Sequence, residues 1–532
     1  MIAFFKRKVN IDYHHLRFAA CVYIGLPLLL FFCGYMKWYF ALVAVAATAF
    51  GMYCAISSPN VETRHDHTLQ ISFGTIGLVF LLTLVWSYLG GLNGYFYQSS
   101  DFNCRNAIYW DMIRGDWPVR YSENGGALSY YIGHWIPPAV AAKLFYWTTD
   151  SFELAQFVGR FTLWIWSCIG LTIVILLICH YLNATTRKKR IFAVVVFIFF
   201  SGLDLLGGVF RDNLEFLFSS DALHLEWWTQ DYQFTSITAC VYWVFNQTII
   251  PWIVTLCFLM EKDARNYVFY CVACLLCGPF PCLGLAICMI VKTVFYGINR
   301  LKKNGFGKAL KAVLRAVFSP SNLCAFLLVF PFVAAYILTN DAFGAISTST
   351  DVSAGEVAVT KAAFFSAEYW TRDLILFLLM DAGIYLSLLF IDHKRDPMFY
   401  TIALILLFAP YFHVGVSIDF CMRVSVPAIL IMMLYVSEFL QKHLTVKPSD
   451  FSLSNKKKLA RQFLACVLFV CFLIGSATPI VEVYRGIYHV VTKGTIFLED
   501  NSIGTFNSPG VPFNFGCSNP EDTIFFQWFA IE

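Results

Sequence analysis

The residues able to do chemistry are concentrated in three short stretches of this chain. The first runs from Tyr97 to Pro138 and holds Asp101, Arg105, Asp111, Arg114, Asp116, Arg120 and His134 among aromatic rings. A carboxylate at Asp101, in a partly dry aromatic setting, can take a proton from an acceptor hydroxyl. The competing role is a cap on a helix that begins near Asn103. Arg105 stands four residues on, the spacing of an ion pair on one helix face, and such a pair lowers an Asp pKa. Asp111, Arg114 and Asp116 read as the solvated face of the same helix.

The second stretch, Ser219 to Tyr232, contains Asp221, His224, Glu226, Trp227, Trp228, Gln230 and Asp231, with Tyr242, Trp243, Asn246 and Gln247 after it. Indole and phenol faces stack on sugar C–H surfaces while neighbouring Asp, Glu, His and Gln side chains bond the hydroxyls. The same rings also suit the aromatic belt of any membrane interface. The third stretch, Ser417 to Pro427, spaces Asp419 and Arg423 four apart just before an apolar run. An Arg there can hold a phosphate bidentately, or it can snorkel and pair with Asp419. Asp204 and Asp381 lie in apolar runs, where an acid is a functional candidate by default, and a bond to helix polar groups is the alternative. His65-Asp-His67 reads as a solvated loop. No phosphate-binding glycine loop, dinucleotide fingerprint or nucleophile elbow is present.

These stretches must be positioned by a membrane. Of 532 residues, 58% are hydrophobic and 14% charged, with mean hydropathy +0.64, whereas soluble domains carry roughly 25% charge. The class is therefore an all-α polytopic membrane protein. A net charge of +4 gathered on one side gives no support to nucleic-acid binding. On a template of about 20 apolar residues per span, helices fall near 17–34, 38–56, 70–89, 158–181, 191–209, 237–259, 321–338, 372–391, 398–413, 424–441 and 461–480. The run 267–297 is broken at Cys277-Gly-Pro-Phe-Pro281 and reads as a hairpin, because two prolines this close cannot continue a helix. Counting that hairpin as two gives about thirteen passes.

With the N-terminus inside, the interior loops take Lys6 to Lys8, Arg187 to Arg190, the cations between Arg300 and Lys311, and Lys456 to Lys458. The exterior loops carry about half as many, which is the positive-inside bias. The expected organisation is a membrane domain over 1–480, with exterior loops 90–157, 210–236 and 339–371 and an exterior tail 481–532. Segment 135–147 is too short to span and reads as an interfacial amphipathic helix. Segment 345–356, rich in small polar residues, reads as a mobile loop. Most of the 18 Cys lie in apolar runs, a setting unsuited to zinc. Cys104, Cys421 and Cys517 fall in exterior loops, which leaves a Cys104 to Cys517 disulfide open with one thiol over.

On Asp101 in its loop, on Leu128-Ser-Tyr-Tyr-Ile-Gly-His-Trp-Ile-Pro-Pro-Ala139 and on Asp419 to Pro427, the chain resembles the multi-pass GT-C glycosyltransferases. Those enzymes use polyprenyl-phosphate sugars. It is also similar to bacterial members carrying His-x-Glu-Trp-Trp and Asp-x-x-x-Arg-x-Ser-x-Pro patterns. The resemblance implies a plasma-membrane enzyme moving a sugar from a polyprenyl-phosphate donor to a glycan, lipid or protein acceptor on the exterior face. It implies Asp101 as the catalytic base, or as the group that orients the acceptor, and Arg423, with Arg105, as the phosphate clamp. His134, His224, Glu226, Trp227, Gln247 and Asp419 are the further substrate contacts expected. Many members carry a paired loop acid; here Phe102 follows Asp101, so a divalent metal is compatible but not required. The alternative from another class is a transporter or flippase of a lipid-linked glycan, whose broken helices aim at a midplane site; Asp381 is the residue that favours it.

Overall fold

Two apolar helices, Tyr13–Tyr35 and Trp38–Ser57, form a hairpin at the start of the chain. Asp12 caps the first by accepting from the His15 N–H, which satisfies one of the donors a helix start leaves open. At the open end of the hairpin, β1 (Lys8–Asp12) pairs antiparallel with β2 (Thr68–Ser72), Val9 facing Ile71. At the closed end, the Lys37 N–H donates to the Phe529 carbonyl at 2.8 Å and Met36 bridges Ala530. The N-terminal ribbon and the C-terminal tail therefore lie at opposite ends of this hairpin. The computed structural model describes residues 6–211, 224–342, 370–412, 419–445, 455–493, 503–507 and 515–532. The 345–356 segment lies outside them.

Among the described residues, eight helices are long and apolar enough to cross a membrane, or nine if one bent pair counts as a span. The chain is thus an all-α protein built for several membrane crossings, with two short β ribbons added. The difference from thirteen has local causes. The run expected at 237–259 bends by 102° between Ile237–Gln247 and Ile249–Met260. Pro251, in the first turn beyond the bend, has no N–H to donate, which suits a helix start. The run at 267–297 breaks where expected, but its arms are unequal: Tyr267–Leu275 has 9 residues and Pro279–Asn304 has 26. Phe73–Leu89 and Pro397–Tyr411 are apolar but short, and Val426–His443 carries Glu438 and ends in the polar turn Gln441 to His443.

The loops expected on one side do gather at one end. Arg64 pairs with Glu438, and Asp392 holds Arg461 at 2.6 Å and His443 at 2.8 Å. His65 departs from the solvated expectation: it is buried, and its ring stacks on Tyr181 at 4.8 Å. Deeper, Glu261 accepts from Tyr270 at 2.6 Å, Asn60 at 3.0 Å and Asn266 at 3.0 Å, with Arg17 at 3.7 Å. Buried charge survives only when its lone pairs are met this completely.

At the opposite end, the tail straps the 97–135 loop. β3 (Ala127–Leu128) pairs with β4 (Gly516–Cys517), and Asn103 Oδ1 accepts from the Ile503 N–H at 3.1 Å. Asp111 is not on a solvated face. It is buried, and it accepts from Arg114 at 2.7 Å, Thr505 at 2.7 Å and the Phe506 N–H at 2.8 Å. Each of the 18 cysteines is a free thiol, Cys104 and Cys517 included.

Candidate functional site

The helix Phe102–Arg114 begins one residue after Asp101, where a cap would sit, but the Asp101 side chain makes no capping bond. Its Oδ2 instead accepts from Arg105 Nη2 at 2.7 Å, and the carboxylate stays 47% exposed. The i to i+4 pairing is made and the helix start is left to other groups. Arg105 itself is buried, its guanidinium over the Phe102 ring, and its Nη1 has no partner among the described residues.

The same device recurs three hundred residues later. The helix Asp419–Val424 brings Asp419 Oδ2 to 3.0 Å from Arg423 Nη2, and Arg423 Nε is buried without a partner among the described residues. The two pairs converge: the Tyr130 phenol feels the charges of Arg423, Arg105, Asp419 and Asp101 together. Burial works against the Arg423 charge, yet Asp419, Tyr130, Tyr131 and Asp101 outweigh it and raise its pKa. Tyr130 stacks on Tyr131 at 4.4 Å, Tyr131 meets Phe280 edge-on, and Phe280 meets Phe420 at 5.4 Å. The Gly-Pro-Phe-Pro break thus supplies the ring that joins the two charged segments.

The arrangement suits a phosphate. Each guanidinium has one N–H held by a carboxylate, and among the described residues Arg105 Nη1 and Arg423 Nε are buried without a partner. Buried donors left without a partner are costly, on the order of 1–3 kcal/mol each, and a bound oxyanion would satisfy such a donor. The exposed Asp101 carboxylate beside them is accessible to a hydroxyl. Among the described residues no three His, Cys, Asp or Glu side chains are grouped to hold a metal ion.

Close packing sets this geometry at Gly284. A Cβ there would lie 2.1 Å from the Val424 carbonyl oxygen, a backbone atom that can move only with Arg423. Gly284→Ala is expected to cost about 1–3 kcal/mol of stability, whereas Gly77→Ala, which meets nothing within 4 Å, should not. Thermal midpoints of the two variants check this.

His224, Glu226 and Trp227 form a second group, built on two residues that the sequence reading missed. His224 Nδ1 lies 2.5 Å from Glu482 Oε1, and Glu482 also accepts from Trp243 Nε1 at 2.8 Å and Arg485 Nη2 at 2.7 Å. Glu226 accepts from Gln233 at 2.5 Å and from the Ser236 N–H at 2.8 Å. All four of His224, Glu226, Glu482 and Arg485 are buried, so they clamp the 224–236 loop to the helix Ala477–Lys493. The clamp reaches the first group through Tyr97, which lies under Arg485, and through Gln233, whose backbone meets the Cys421 thiol. Trp227 is only half-buried, edge-on to His224, whereas Trp228 is packed against Gly207 in the core.

Burial pushes the Glu226 carboxyl up to about 7. A carboxyl whose folded pKa is raised favours the folded state when protonated, so that contribution is full below about pH 4.5 and is lost as pH rises through about 7. The loss is expected to be about 1–3 kcal/mol. Thermal midpoints between pH 5 and 8 should fall with pH in the wild type and stay flatter in Glu226→Gln, in which the Gln233 amide can flip to keep its bond.

Two expected contacts lie apart from both groups. His134 is fully buried with Nε2 3.0 Å from Ser167 Oγ and its ring edge-on to Phe245; burial alone drives its pKa to about 3 and keeps it neutral. Gln247 sits at the 102° bend against Gly278, its Oε1 without a partner among the described residues. Asp204 is bonded to Ser201 and Thr478, both at 2.7 Å. Asp381 occupies a π-helical turn, Leu379–Gly383, pressed against Gly202, and its Oδ1 has no partner among the described residues. Comparison with protein-family models, with curated proteins and with solved structures finds no match to this chain, so any functional reading rests on the residue geometry.

Proposed function

We propose that the chain is a GT-C-type membrane glycosyltransferase that takes a sugar from a polyprenyl-phosphate donor at the end of the bundle where the tail docks. The observation that carries this reading is the approach of two Asp–Arg pairs, Asp101 with Arg105 and Asp419 with Arg423, to the ring chain Tyr130, Tyr131, Phe280 and Phe420 from segments far apart in the sequence. In the reaction, the acceptor hydroxyl gives its proton to Asp101 as its oxygen attacks the anomeric carbon. The bond from that carbon to the phosphate oxygen breaks, and the leaving phosphate gathers charge that Arg423 and Arg105 stabilise. Trp227, half-buried beside His224, is the ring that stacks on a sugar. The acceptor is a glycan, lipid or protein of the cell envelope, and this end of the bundle faces the exterior of the plasma membrane.

One observation favours a second reading, a transporter of a lipid-linked glycan. Asp381 presents a carboxylate oxygen without a partner among the described residues, in a π-helical turn near Asp204, and π-bulges inside helices are frequent at functional sites. The test sets the two against each other. Purified protein that consumes one of a panel of radiolabelled polyprenyl-phosphate sugars and labels an acceptor supports the enzyme. Consumption of none, with protein-dependent movement of a lipid-linked glycan across liposomes that Asp381→Asn abolishes, supports the transporter and removes the enzyme reading.

A further inference from the structure

At the end of the bundle opposite Asp101, Arg64, Lys262, Lys292, Arg300 and Lys303 line a cavity of about 590 Å³ against two carboxylates, Glu62 and Asp396. Several of these groups are already committed. Arg64 pairs with Glu438, Lys292 donates to the carbonyls of Phe258, Leu259 and Glu261, and Asp396 accepts from the Tyr435 hydroxyl at 2.6 Å. The side chains of Lys262, Arg300 and Lys303 make no hydrogen bond or ion pair with the described residues; Arg300 only lies over the Tyr296 ring at 5.2 Å. Three uncommitted cations therefore face one cavity. One wall is apolar, formed by Leu259, Val291, Phe295 and Met398.

The helix beyond Lys303 fixes the depth of the cavity relative to a bilayer. The chain turns at Gly305, whose φ of +77° a larger residue would adopt only under strain, into the helix Phe306–Val317. Phe306, Leu310 and Leu314 form one ridge on that helix, continued by Phe318, and all four are exposed. Lys308, Lys311 and Arg315 run beside the ridge. A helix with an exposed apolar ridge flanked by cations lies in the headgroup layer with its ridge among acyl chains. Arg300 and Lys303 immediately precede it, so the cavity opens at headgroup depth.

We propose that this cavity binds the phosphate headgroup of an anionic membrane lipid. The three uncommitted cations meet the phosphodiester, and the apolar wall receives the start of an acyl chain. A free soluble phosphate shares the headgroup chemistry but would leave that wall without an occupant.

The experiment uses full-length protein in nanodiscs of phosphatidylcholine with a minor fraction of phosphatidylglycerol, and reads retained lipid by native mass spectrometry. The wild type is expected to retain phosphatidylglycerol in preference to phosphatidylcholine. Lys262→Gln, Arg300→Gln and Lys303→Gln together should weaken retention on the order of a hundredfold, roughly fivefold per charge removed. Arg300→Gln alone, expected to cost about fivefold, serves if the triple variant does not fold. Glycerol 3-phosphate at millimolar concentration should not displace the lipid. Equal retention by wild type and variants would overturn the proposal. So would charge-dependent binding of glycerol 3-phosphate by a protein that retains no phosphatidylglycerol, which would make the cavity a site for a soluble anion.

Discussion

Asp101→Asn is expected to lower sugar transfer by about 10²–10⁴-fold while donor binding and thermal stability stay within a factor of two or so of wild type. The reasons are local. Asn keeps an oxygen that accepts from Arg105 Nη2, so the 2.7 Å contact survives. The helix start is untouched, because Asp101 makes no capping bond in the first place. What disappears is the capacity to take a proton, and with 47% of its side chain exposed Asp101 is the acid in this group best placed to meet an acceptor. Donor binding measured by retention of radiolabelled lipid, beside turnover of the same donor, separates the two quantities. A variant that transfers sugar at the wild-type rate would remove Asp101 from the chemistry, and one that loses binding and stability in parallel would make it a structural partner of Arg105.

Arg423→Gln is expected to cost about 10²–10³-fold in turnover, the usual consequence of removing one donor aimed at a developing oxyanion. It also leaves Asp419 without its partner, and breaking a buried pair from one side destabilises by about 3–5 kcal/mol; Asp419 is 32% exposed, so solvent reduces that cost. The two effects are separable. Asp419→Asn with Arg423→Gln should restore stability, since no lone charge remains, while turnover stays low. Arg423→Lys should keep stability and recover only part of the turnover, because an ammonium keeps the charge but loses the planar fork that engages a phosphate bidentately. Recovery of full activity in the double variant would mean that Arg423 serves only to neutralise Asp419.

Both charged pairs are legible in the sequence because each is local: Asp101 to Arg105 and Asp419 to Arg423 share the i to i+4 spacing that places side chains on one helix face. Their meeting is not legible, since it depends on how Phe280 and Gly284 seat the Asp419 to Val424 segment. The clamp on His224 is hidden for the same reason. Glu482 and Arg485 lie some 260 residues away, in what reads as the start of the exterior tail. Asp111 reads as solvated from helical periodicity, but the strap at Thr505 and Phe506 covers it, and no local pattern announces a strap. The all-α membrane class is legible in the apolar runs, but the count of thirteen passes is not reproduced among the described residues, because a count of apolar residues does not register a 102° bend or a nine-residue arm.

Single-turnover release of sugar from prebound, radiolabelled polyprenyl-phosphate donor, run on wild type and Asp101→Asn side by side, separates proton transfer at Asp101 from donor binding. The proposed reaction requires that one donor binds both proteins alike, that the wild type transfers its sugar and leaves the lipid phosphate behind, and that the variant holds the same donor intact. Donor bound and left intact by the wild type in the presence of envelope acceptors, or turned over equally by both proteins, would contradict it.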